Sequence, residues 1–423
     1  MSPAPHVTRI DPDDERIAGV LLDLDDLVWA ASGKVPREVG LRHTPTRAGF
    51  LATLDGENAG LAGSWDVQLS VPAPGGGAGL RPAEGLTWVG VHPDHRRRGV
   101  LSALMRHHLR WTREEQQRSI SVLKASEPSI YGRFGYGIAS STLRSVLSRG
   151  TTFSAPPVVQ DLAGATTTRT TTQGPEQAER VLALLEQAGA GEPGHVVRDL
   201  EDYRRILTDI PQSRGSREPG RLLWATREGV DVGLAWFHRT SKWSDDINPE
   251  GEVEVILFAA LDAGARLALA TRLGDLDLMA KTTCWLAVDD PLALWLPSLR
   301  TLGGAMTDDL WLRIVDLPLA VSERGHAGDV DLVLEVSDEI IGENAGRWRW
   351  QSLDGFGELT AHDGSSGSDL TLDIRDLSAV WLGGQTVAAR AAAGFVLEHR
   401  PGAVAELDAA LRTPTLPVGT LDF

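Results

Sequence analysis

An arginine-rich turn at residues 96–99 lies between an apolar segment and an amphipathic segment of this 423-residue chain. At the start of a helix, such a turn directs several backbone N–H groups outward, where the helix dipole also favours negative charge. Gly99 has no side chain, so an anion can approach its backbone closely. The pattern predicts a pyrophosphate-binding turn formed by Arg97, Arg98, Gly99, Val100, Leu101 and Ser102.

A second cluster, at residues 125–137, interleaves three glycines with aromatic residues. Tyr131 lies just beyond a predicted strand at residues 119–125, which is a suitable place for a proton donor. If a reaction at this site released a thiolate of pKa about 8.5, a phenol with its usual pKa of about 10 could protonate it at only a small cost in free energy. Tyr136 is the competing candidate, and the position of Tyr131 beside the strand favours Tyr131.

The two clusters are joined by a strand, a turn, a helix and a second strand. Residues 86–91 have the pattern of an apolar strand. The following helix has one apolar face at helical spacing, formed by Leu101, Leu104, Met105, His108 and Leu109. Because residues 119–125 then return as a strand, the order is that of a βαβ unit around a pyrophosphate site.

These motifs resemble those of known acetyltransferases. The pattern V-x-P-x-x-R-R-R-G-V-L at residues 91–101 is similar to motif A of the GNAT superfamily of acyl-CoA-dependent N-acetyltransferases. Together with S-E-x-x-I-Y-G-R-F-G-Y-G at residues 126–137, it resembles the Eis (enhanced intracellular survival) family of bacterial acetyltransferases. The resemblance extends to W-L-R-I at residues 311–314, to the segment 328–336 and to the final aromatic residue.

The resemblance to Eis implies a mixed α/β fold with tandem GNAT-like domains followed by a sterol-carrier-protein-like domain. Residues 1–150 would form the catalytic GNAT domain and 151–305 a second GNAT-like domain without a cofactor site. Residues 306–423 would form the sterol-carrier-protein-like domain, which carries the catalytic C-terminus. The resemblance also implies a homo-hexamer that uses acetyl-CoA to acetylate aminoglycoside amines at several sites.

Site residues follow from the same resemblance, motif by motif. It implies that Tyr131 is the general acid and that the α-carboxylate of Phe423 is the general base. Trp88 and Asp422 match positions that line the amine pocket. The implied contacts to acetyl-CoA are Val89, Gly90, Val91, Arg97, Arg98, Gly99, Val100, Leu101, Ser102, Ser126 and Glu127.

The terminal carboxylate, which the resemblance implies as the general base, is only a weak base for this reaction. A C-terminal carboxyl has a pKa of about 3.5, whereas a lysine-like ammonium has a pKa of about 10.4. Direct deprotonation would therefore cost roughly 9 kcal/mol. A carboxylate can instead orient the ammonium, or accept its proton after the nitrogen has attacked. We therefore expect Phe423 to act as an electrostatic anchor first and as a base second.

Composition restricts the partners and the location of the protein. A net charge of −17 argues against a nucleic-acid partner, which requires a basic face, and suits a cationic amine substrate. Asp23, Asp25 and Asp26 are acidic residues near the N-terminus that could attract such a substrate. No apolar run approaches the roughly 20 residues that span a bilayer, and the N-terminus lacks the apolar core of a secretory signal. We therefore expect a cytoplasmic protein without a membrane span.

Neither thiol nor metal chemistry is indicated. The single cysteine, Cys284, lies in a strand-like apolar segment, which is typical of an inert buried thiol. The histidines show no metal-ligand spacing with a suitable carboxylate, so no metal is expected. The glycine-rich segment 72–79 lacks the Lys-Ser/Thr of a P-loop and is interpreted as a loop.

The rest of the chain mixes both kinds of secondary structure. A threonine-rich stretch at residues 166–172 predicts a domain junction. Helices are expected at residues 176–190, 261–280, 388–397 and 403–411, and strands at 222–226, 232–238, 252–258, 310–315, 330–336 and 347–350.

Two alternatives to a small-molecule acetyltransferase stay open. Protein lysines are an alternative acceptor for the same chemistry. The chain could also be a non-enzymatic protein that binds a hydrophobic ligand in its C-terminal domain. The intact turn at Arg97, Arg98 and Gly99, together with Tyr131, argues against the second alternative.

Overall fold

The computed structural model describes residues 4–10, 15–29, 48–364 and 367–419, so Asp422 and Phe423 lie outside the described residues. The described chain forms three β-sheets with helices packed on them. The helices are α1 (Glu15–Trp29), α2 (Val100–Glu114), α3 (Pro157–Gly164), α4 (Ala178–Gly189), α5 (Leu200–Leu207), α6 (Ala263–Gly274), α7 (Pro291–Leu294), α8 (Leu317–Glu323), α9 (Ile374–Val380), α10 (Val387–Ala392) and α11 (Ala403–Leu411). Within the described ranges, no helix has both the length and the apolar character needed to cross a membrane.

The first sheet has eight strands and carries the two motifs. Its strands are β1 (His6–Ile10), β2 (Ala48–Leu54), β3 (Glu57–Pro72), β4 (Ala78–Val91), β5 (Ile120–Lys124), β6 (Gly137–Ile138), β9 (Val196–Arg198) and β15 (Leu310–Ile314). Their order is β1-β2-β3-β4-β5-β15-β6, and β9 pairs with β3. The predicted strand–turn–helix–strand unit is confirmed as β4, α2 and β5.

Strands β4 and β5 separate from each other along their length. They are parallel, but the pairing is limited to Glu84 with Ser121 and Gly85 with Val122. Beyond this point β4 is irregular: its pairing with β3 shifts register, and Trp88 has a left-handed backbone with φ of 52°. Because the two carboxyl ends are not hydrogen-bonded to each other, a space opens between them.

The second sheet has seven strands and repeats this arrangement. Its strands are β7 (Ser141–Ser148), β8 (Thr167–Thr172), β10 (Arg221–Arg227), β11 (Val230–Thr240), β12 (Gly251–Ala260), β13 (Met279–Ala287) and β14 (Ala305–Asp308), in the order β14-β7-β13-β12-β11-β10-β8. Strands β12 and β13 are parallel and pair only from Gly251 to Glu254. They too leave a space between their carboxyl ends.

The first two sheets exchange strands. β7 follows β6 directly in sequence but lies in the second sheet, paired with β13. β15 follows β14 directly but lies in the first sheet, where Leu310–Ile314 pairs with β5 and also contacts β6. The chain therefore crosses from the first sheet to the second between β6 and β7, before the predicted boundary at residue 150. It returns to the first sheet between β14 and β15, after the predicted boundary at residue 305.

The third sheet belongs to the C-terminal part of the chain. Its strands are β16 (Val330–Ser337), β17 (Gly346–Leu353), β18 (Phe356–Ala361), β19 (Leu370–Asp373) and β20 (Val396–Glu398), in the order β18-β17-β16-β19-β20. Buried side chains of this part of the chain, including Trp350 on β17 and Trp381 at the end of α9, form one continuous core with residues of the first sheet such as Val122 and Leu312. The C-terminal part of the chain is therefore packed against the first sheet.

The threonine-rich segment, next to which a junction near residues 150–170 was predicted, forms the edge strand β8, because threonine favours extended backbone and an edge strand tolerates polar faces. Two helix predictions differ from the structure. The expected helix at 388–397 ends at Ala392, and Val396–Glu398 forms β20. The helix expected at 261–280 covers only Ala263–Gly274, and β13 begins at Met279.

Candidate active site

A cleft of about 820 Å³ lies between the separated ends of β4 and β5. It brings together most of the residues that the sequence singled out, namely Trp88, Val89, Gly90, Val91, Arg97, Gly99, Val100, Leu101, Ser102, Ser126, Glu127 and Tyr131. Arg98 is not among its lining residues. Asp422 and Phe423 lie outside the described residues. We call this space the donor cleft.

The arginine turn forms one end of the donor cleft. Arg97 and Gly99 both have left-handed backbone, with φ of 61° and 84°. Gly99 is the N-cap of α2 and has no side chain with which to cap the helix. The first N–H groups of α2 therefore receive no side-chain hydrogen bond from the N-cap residue, and the positive end of the helix dipole points to the same place. This geometry suits a pyrophosphate.

Arg98 braces the turn from outside the cleft. Its Nη2 atom donates a hydrogen bond of 2.6 Å to Oδ2 of Asp55, at the tip of the β2–β3 hairpin. His95 makes a second contact with the same hairpin: its Nε2 atom lies 3.1 Å from Oε2 of Glu57, the first residue of β3. The turn is thus tied to the hairpin on two points. Arg98 is placed to hold the turn in position rather than to face the cleft.

The C-terminal end of α1 forms part of the opposite wall of the donor cleft. Val28 and Trp29 line the donor cleft, although no motif in the sequence indicated this. A Cβ atom at Gly90 would lie 2.7 Å from Cη2 of Trp29, so only glycine permits this approach. The three acidic residues that could attract a cationic substrate, Asp23, Asp25 and Asp26, do not line the donor cleft. Burial, and secondarily Asp26, raises the pKa of Asp25.

Tyr131 lies in the wall of the cleft beyond β5. It is 7% exposed, and its ring packs against those of Tyr136 and Trp311 at centroid distances of 6.1 and 6.5 Å. Burial, with a smaller effect from the Glu127 carboxylate, raises the pKa of Tyr131 to about 12. The phenol is therefore neutral at physiological pH and retains its proton for donation.

Tyr136, the competing candidate, is in a different environment. It is fully buried, its hydroxyl lies 2.8 Å from Oγ of Ser121, and it is not among the residues that line the donor cleft. Burial also raises the pKa of Tyr136. This position is suited to support the ring of Tyr131 and not to reach a substrate.

A second cleft, of about 640 Å³, lies between the separated strands β12 and β13. We call it the acidic cleft, because Glu254, Asp308 and Asp309 line it together with the aromatic residues Trp236, Phe258 and Trp285. Lys124, at the end of β5, lines both clefts. Its Nζ atom lies 2.7 Å from Oδ1 of Asp309. Sequence reasoning missed Lys124 and Asp309, because neither belongs to a local motif.

The helix that follows β12 begins differently from α2, which follows β4. The helix that follows β12 is capped by Asp262, whose Oδ1 atom accepts the N–H of Ala265 at 2.9 Å. A carboxylate thus occupies the place where an anionic ligand would bind. Arg227, at hydrogen-bond distance from both oxygens of Asp262, neutralises that carboxylate.

Other chemistry is not supported among the described residues. No group of three or more His, Cys, Asp or Glu side chains in them is arranged to hold a metal ion. Cys284 is buried in β13, and burial, with a contribution from Asp290, raises the pKa of its thiol to about 12. A thiol of this kind is not a nucleophile at neutral pH.

Comparison with family models defines the class of protein. Residues 44–139 and 194–314 each match an acetyltransferase (GNAT) domain, and residues 317–418 match a sterol carrier protein domain. The chain therefore has two GNAT domains followed by a sterol-carrier-protein domain, as predicted. A GNAT fold with this donor cleft implies acetyl-CoA as the acyl donor.

Individual relatives narrow the class. The chain is 36% identical over 366 residues to an uncharacterized N-acetyltransferase of Streptomyces avermitilis, covering 85% of this chain and 86% of the relative. It is 29% identical over 370 residues to N-acetyltransferase Eis of Mycobacterium tuberculosis, covering 86% and 85%. The crystal structure of Eis1 from Mycobacterium abscessus superposes with a TM-score of 0.79 at 25% identity, covering 99% of this chain and 100% of that one. The chain belongs to the Eis-like GNAT N-acetyltransferases.

Proposed function

We propose that this enzyme transfers the acetyl group of acetyl-CoA directly to an amine of a cationic small molecule such as an aminoglycoside. The observation that carries the proposal is that Lys124 lines both the donor cleft and the acidic cleft. One cleft has the backbone geometry for a coenzyme, and the other has the charge for a polycation. The amine and the thioester can then meet near Tyr131.

In the donor cleft we assign the coenzyme to the residues that resemble the family motif. The strand segment Val89, Gly90 and Val91 offers backbone groups to the amide-containing arm of the coenzyme, in the manner of an added strand. The turn from Arg97 to Ser102 binds the pyrophosphate, and Ser126 and Glu127 contact the arm from the β5 side. We place Arg98 in the same group as a brace of the turn.

Tyr131 is the proposed general acid. The reaction forms a C–N bond between the amine and the acetyl carbon and breaks the C–S bond, so the leaving thiolate needs a proton. A phenol of pKa about 12 is a weaker acid than a thiol of pKa about 8.5 in water. Inside the cleft the thiolate is desolvated as well, which raises its own pKa and reduces the difference.

The α-carboxylate of Phe423 is the proposed anchor for the substrate ammonium and acceptor of its proton. The course of the preceding tail supports this. The N–H of Val418 donates to the carbonyl of Pro193 at 2.9 Å, that of Leu416 donates to Asp289 at 2.9 Å, and Gly419 lines the acidic cleft. An extended chain spans at most about 3.6 Å per residue, so residues 420–423 reach within roughly 14 Å of Gly419.

A cationic acceptor fits the composition of the acidic cleft. Glu254, Asp308 and Asp309 supply negative charge, and the rings of Trp236 and Trp285 can stack against cations. We assign Trp88 and Asp422 to the same amine-binding region by their resemblance to the family. The net charge of −17 adds long-range attraction for such a substrate.

Assembly and location remain part of the proposal. We propose a homo-hexamer in the cytoplasm, on the resemblance to Eis. Exposed apolar side chains on the second domain, among them Leu294, Leu299 and Met306, support contacts between copies. Light scattering of the full chain, together with fractionation of cells, tests both points.

Of the alternatives, binding of a hydrophobic ligand by the third domain has the least support. Trp350 and Trp381 are fully buried in its core, with ring centroids 5.9 Å apart, so both rings pack against protein. Acetylation of protein lysines would use the same donor cleft. We distinguish the acceptors by measuring thiol release from acetyl-CoA with aminoglycosides, linear polyamines and a lysine peptide in parallel.

The decisive test of the mechanism uses two variants in that assay. Tyr131→Phe should lose kcat while the KM for acetyl-CoA is nearly unchanged, because the proton donor acts only in the transition state. One residue appended after Phe423 should abolish turnover and leave acetyl-CoA binding intact. Full activity in either variant would remove that residue from the mechanism.

A further inference from the structure

The loop that carries Tyr131 is packed against the third domain. A Cβ atom at Gly132 would lie 3.1 Å from Cζ of Arg375. A Cβ atom at Gly137 would overlap the carbonyl oxygen of Arg375 and the backbone nitrogen of Ala379, both on α9. These glycines therefore allow a close approach between the loop and the third domain.

Arg313, on β15, joins this loop to the third domain. Its Nε atom donates to the carbonyl of Phe134 at 2.8 Å, and the N–H of Phe134 donates to the carbonyl of Tyr131 at 2.9 Å. Gly135 has φ of 82°, and a Cβ atom there would lie 2.6 Å from Nε of Arg313. The guanidinium thus holds the turn that immediately follows Tyr131.

Asp338, at the end of β16 in the third domain, fixes the guanidinium. Nη2 of Arg313 donates to Oδ1 and Oδ2 of Asp338 at 2.8 and 2.6 Å, and both side chains are almost fully buried. The same carboxylate accepts the N–H groups of Ile340 and Ile341 at 3.0 and 2.9 Å and Nδ2 of Asn344 at 3.1 Å. These partners give the Asp338 carboxylate a single orientation.

We propose that Asp338 is a positioning residue for acetyl transfer, which acts through Arg313 and Phe134 to hold Tyr131 against the donor cleft. The third domain thereby has a role in the reaction that does not depend on any ligand of its own. The inference rests on the proposed role of Tyr131 as general acid. Arg313 and Asp338 themselves do not line the donor cleft.

Loss of the Asp338 charge should act on the chemical step. Asn at position 338 keeps the shape but leaves the buried guanidinium without its counter-charge. The guanidinium then shifts toward other acceptors, and its bond to Phe134 is no longer oriented. Because an error of about 1 Å in a reacting group costs on the order of 100-fold, we expect kcat to fall by about tenfold or more. The KM for acetyl-CoA should stay within about twofold, since the arginine turn is not touched.

A double-mutant cycle separates positioning from a general structural role. Asp338→Asn is measured in the wild-type chain and in Tyr131→Phe, with circular dichroism to verify folding. If Asp338 acts through the phenol, it should lower the residual rate of Tyr131→Phe by less than about twofold. An equal loss in both backgrounds would overturn the proposal, as would full activity of Asp338→Asn. Full activity of Tyr131→Phe would instead overturn the proposed acid, so the two failures are distinguishable.

A second variant and a control complete the design. Arg313→Lys retains the buried charge but lacks the planar fork, so it should show the same dependence on Tyr131 even if Asp338→Asn does not fold. Asp369→Asn removes an aspartate of the third domain that pairs with Arg400 at 2.9 Å, away from the loop. It should leave kcat unchanged, and a loss equal to that of Asp338→Asn would count against the proposal.

Discussion

The Nζ atom of Lys124, which lines both the donor cleft and the acidic cleft, lies 2.7 Å from Oδ1 of Asp309, which lines the acidic cleft. Asp309 is held from a second side, because Oγ of Ser140 donates to its Oδ2 atom at 3.1 Å. The carboxylate thus offsets the positive charge that Lys124 contributes to the lining of both clefts. A cationic substrate in the acidic cleft would meet this ammonium as part of an ion pair.

Replacement of Asp309 by Asn should weaken binding of the cationic acceptor. The Lys124 ammonium would lose this neutralising carboxylate and repel the substrate amine. We expect the acceptor KM to rise by about tenfold, which corresponds to about 1.4 kcal/mol, with the KM for acetyl-CoA unchanged. Asp277→Asn is the control, because Asp277 is 94% exposed and pairs with Arg149 on the surface. Steady-state kinetics with each substrate varied in turn decide the point, and an unchanged acceptor KM in Asp309→Asn would contradict it.

Replacement of Gly99 by Ala should weaken acetyl-CoA binding. A non-glycine residue in left-handed backbone costs about 1–2 kcal/mol, and a methyl group would stand beside the pyrophosphate site. We expect the KM for acetyl-CoA to rise about tenfold at unchanged kcat. Gly150→Ala carries the same backbone strain, with φ of 74° and open space around it, so it should leave this KM unchanged. Equal KM values in the two variants would refute the assignment of the turn.

The close contact of Gly137 with α9 predicts a large stability effect. A methyl group there meets backbone atoms of Arg375 and Ala379, which cannot rotate away. We expect Gly137→Ala to lower the free energy of unfolding by about 1–3 kcal/mol, as overpacking does elsewhere. Gly342, in the third domain, has no atom within 4 Å of its would-be Cβ, so Gly342→Ala should be nearly neutral. Denaturant unfolding of both variants checks the prediction, which fails if they are equally stable.

His108 predicts a loss of stability in acid. It is fully buried on α2 beside Phe50, and burial, with a smaller effect from His107, lowers its pKa from 6.5 to about 3. The unfolded chain therefore binds a proton at this histidine below about pH 6.5, whereas the folded chain binds it only below about pH 3. Stability contributed by neutral His108 is present above this window and is lost as the pH falls through it, by up to about 1.4 kcal/mol per pH unit.

The measurement compares the wild-type chain with His108→Leu, which cannot be protonated there. Free energies of unfolding are determined at several values between pH 7 and 4. The variant should depend less steeply on pH than the wild-type chain. Identical slopes would show that the acid sensitivity arises from other groups.

Residues that are close in sequence could be predicted, and residues that meet across the fold could not. The turn at Gly99 and the loop at Tyr131 belong to one continuous strand–turn–helix–strand unit, so their motifs carry their geometry. Lys124 and Asp309 meet only because β15 enters the first sheet beside β5. No local periodicity encodes that pairing, since the two strands are separated by the whole second domain.

The glycines of the Tyr131 loop show the same limit in another way. Their spacing indicated a special backbone, and the sequence interpretation connected them with the reaction alone. Gly132 and Gly137 are instead required by the approach of Arg375 and Ala379 of the third domain, which lie more than 200 residues further along the chain. A pattern of glycines reports that something comes close, but it does not report what comes close.

The exchange of β7 and β15 between the first two sheets governs how the chain can acquire its structure during synthesis. The first sheet lacks its strand next to β5 until Leu310–Ile314 has left the ribosome. Domains usually fold as units in the order of their synthesis, but here the first one must wait for the last strand of the second. Until then β5 presents an open, apolar edge, which is a site for association with other chains. A ribosome-bound or truncated chain that ends before residue 310 is thus exposed to aggregation through this edge.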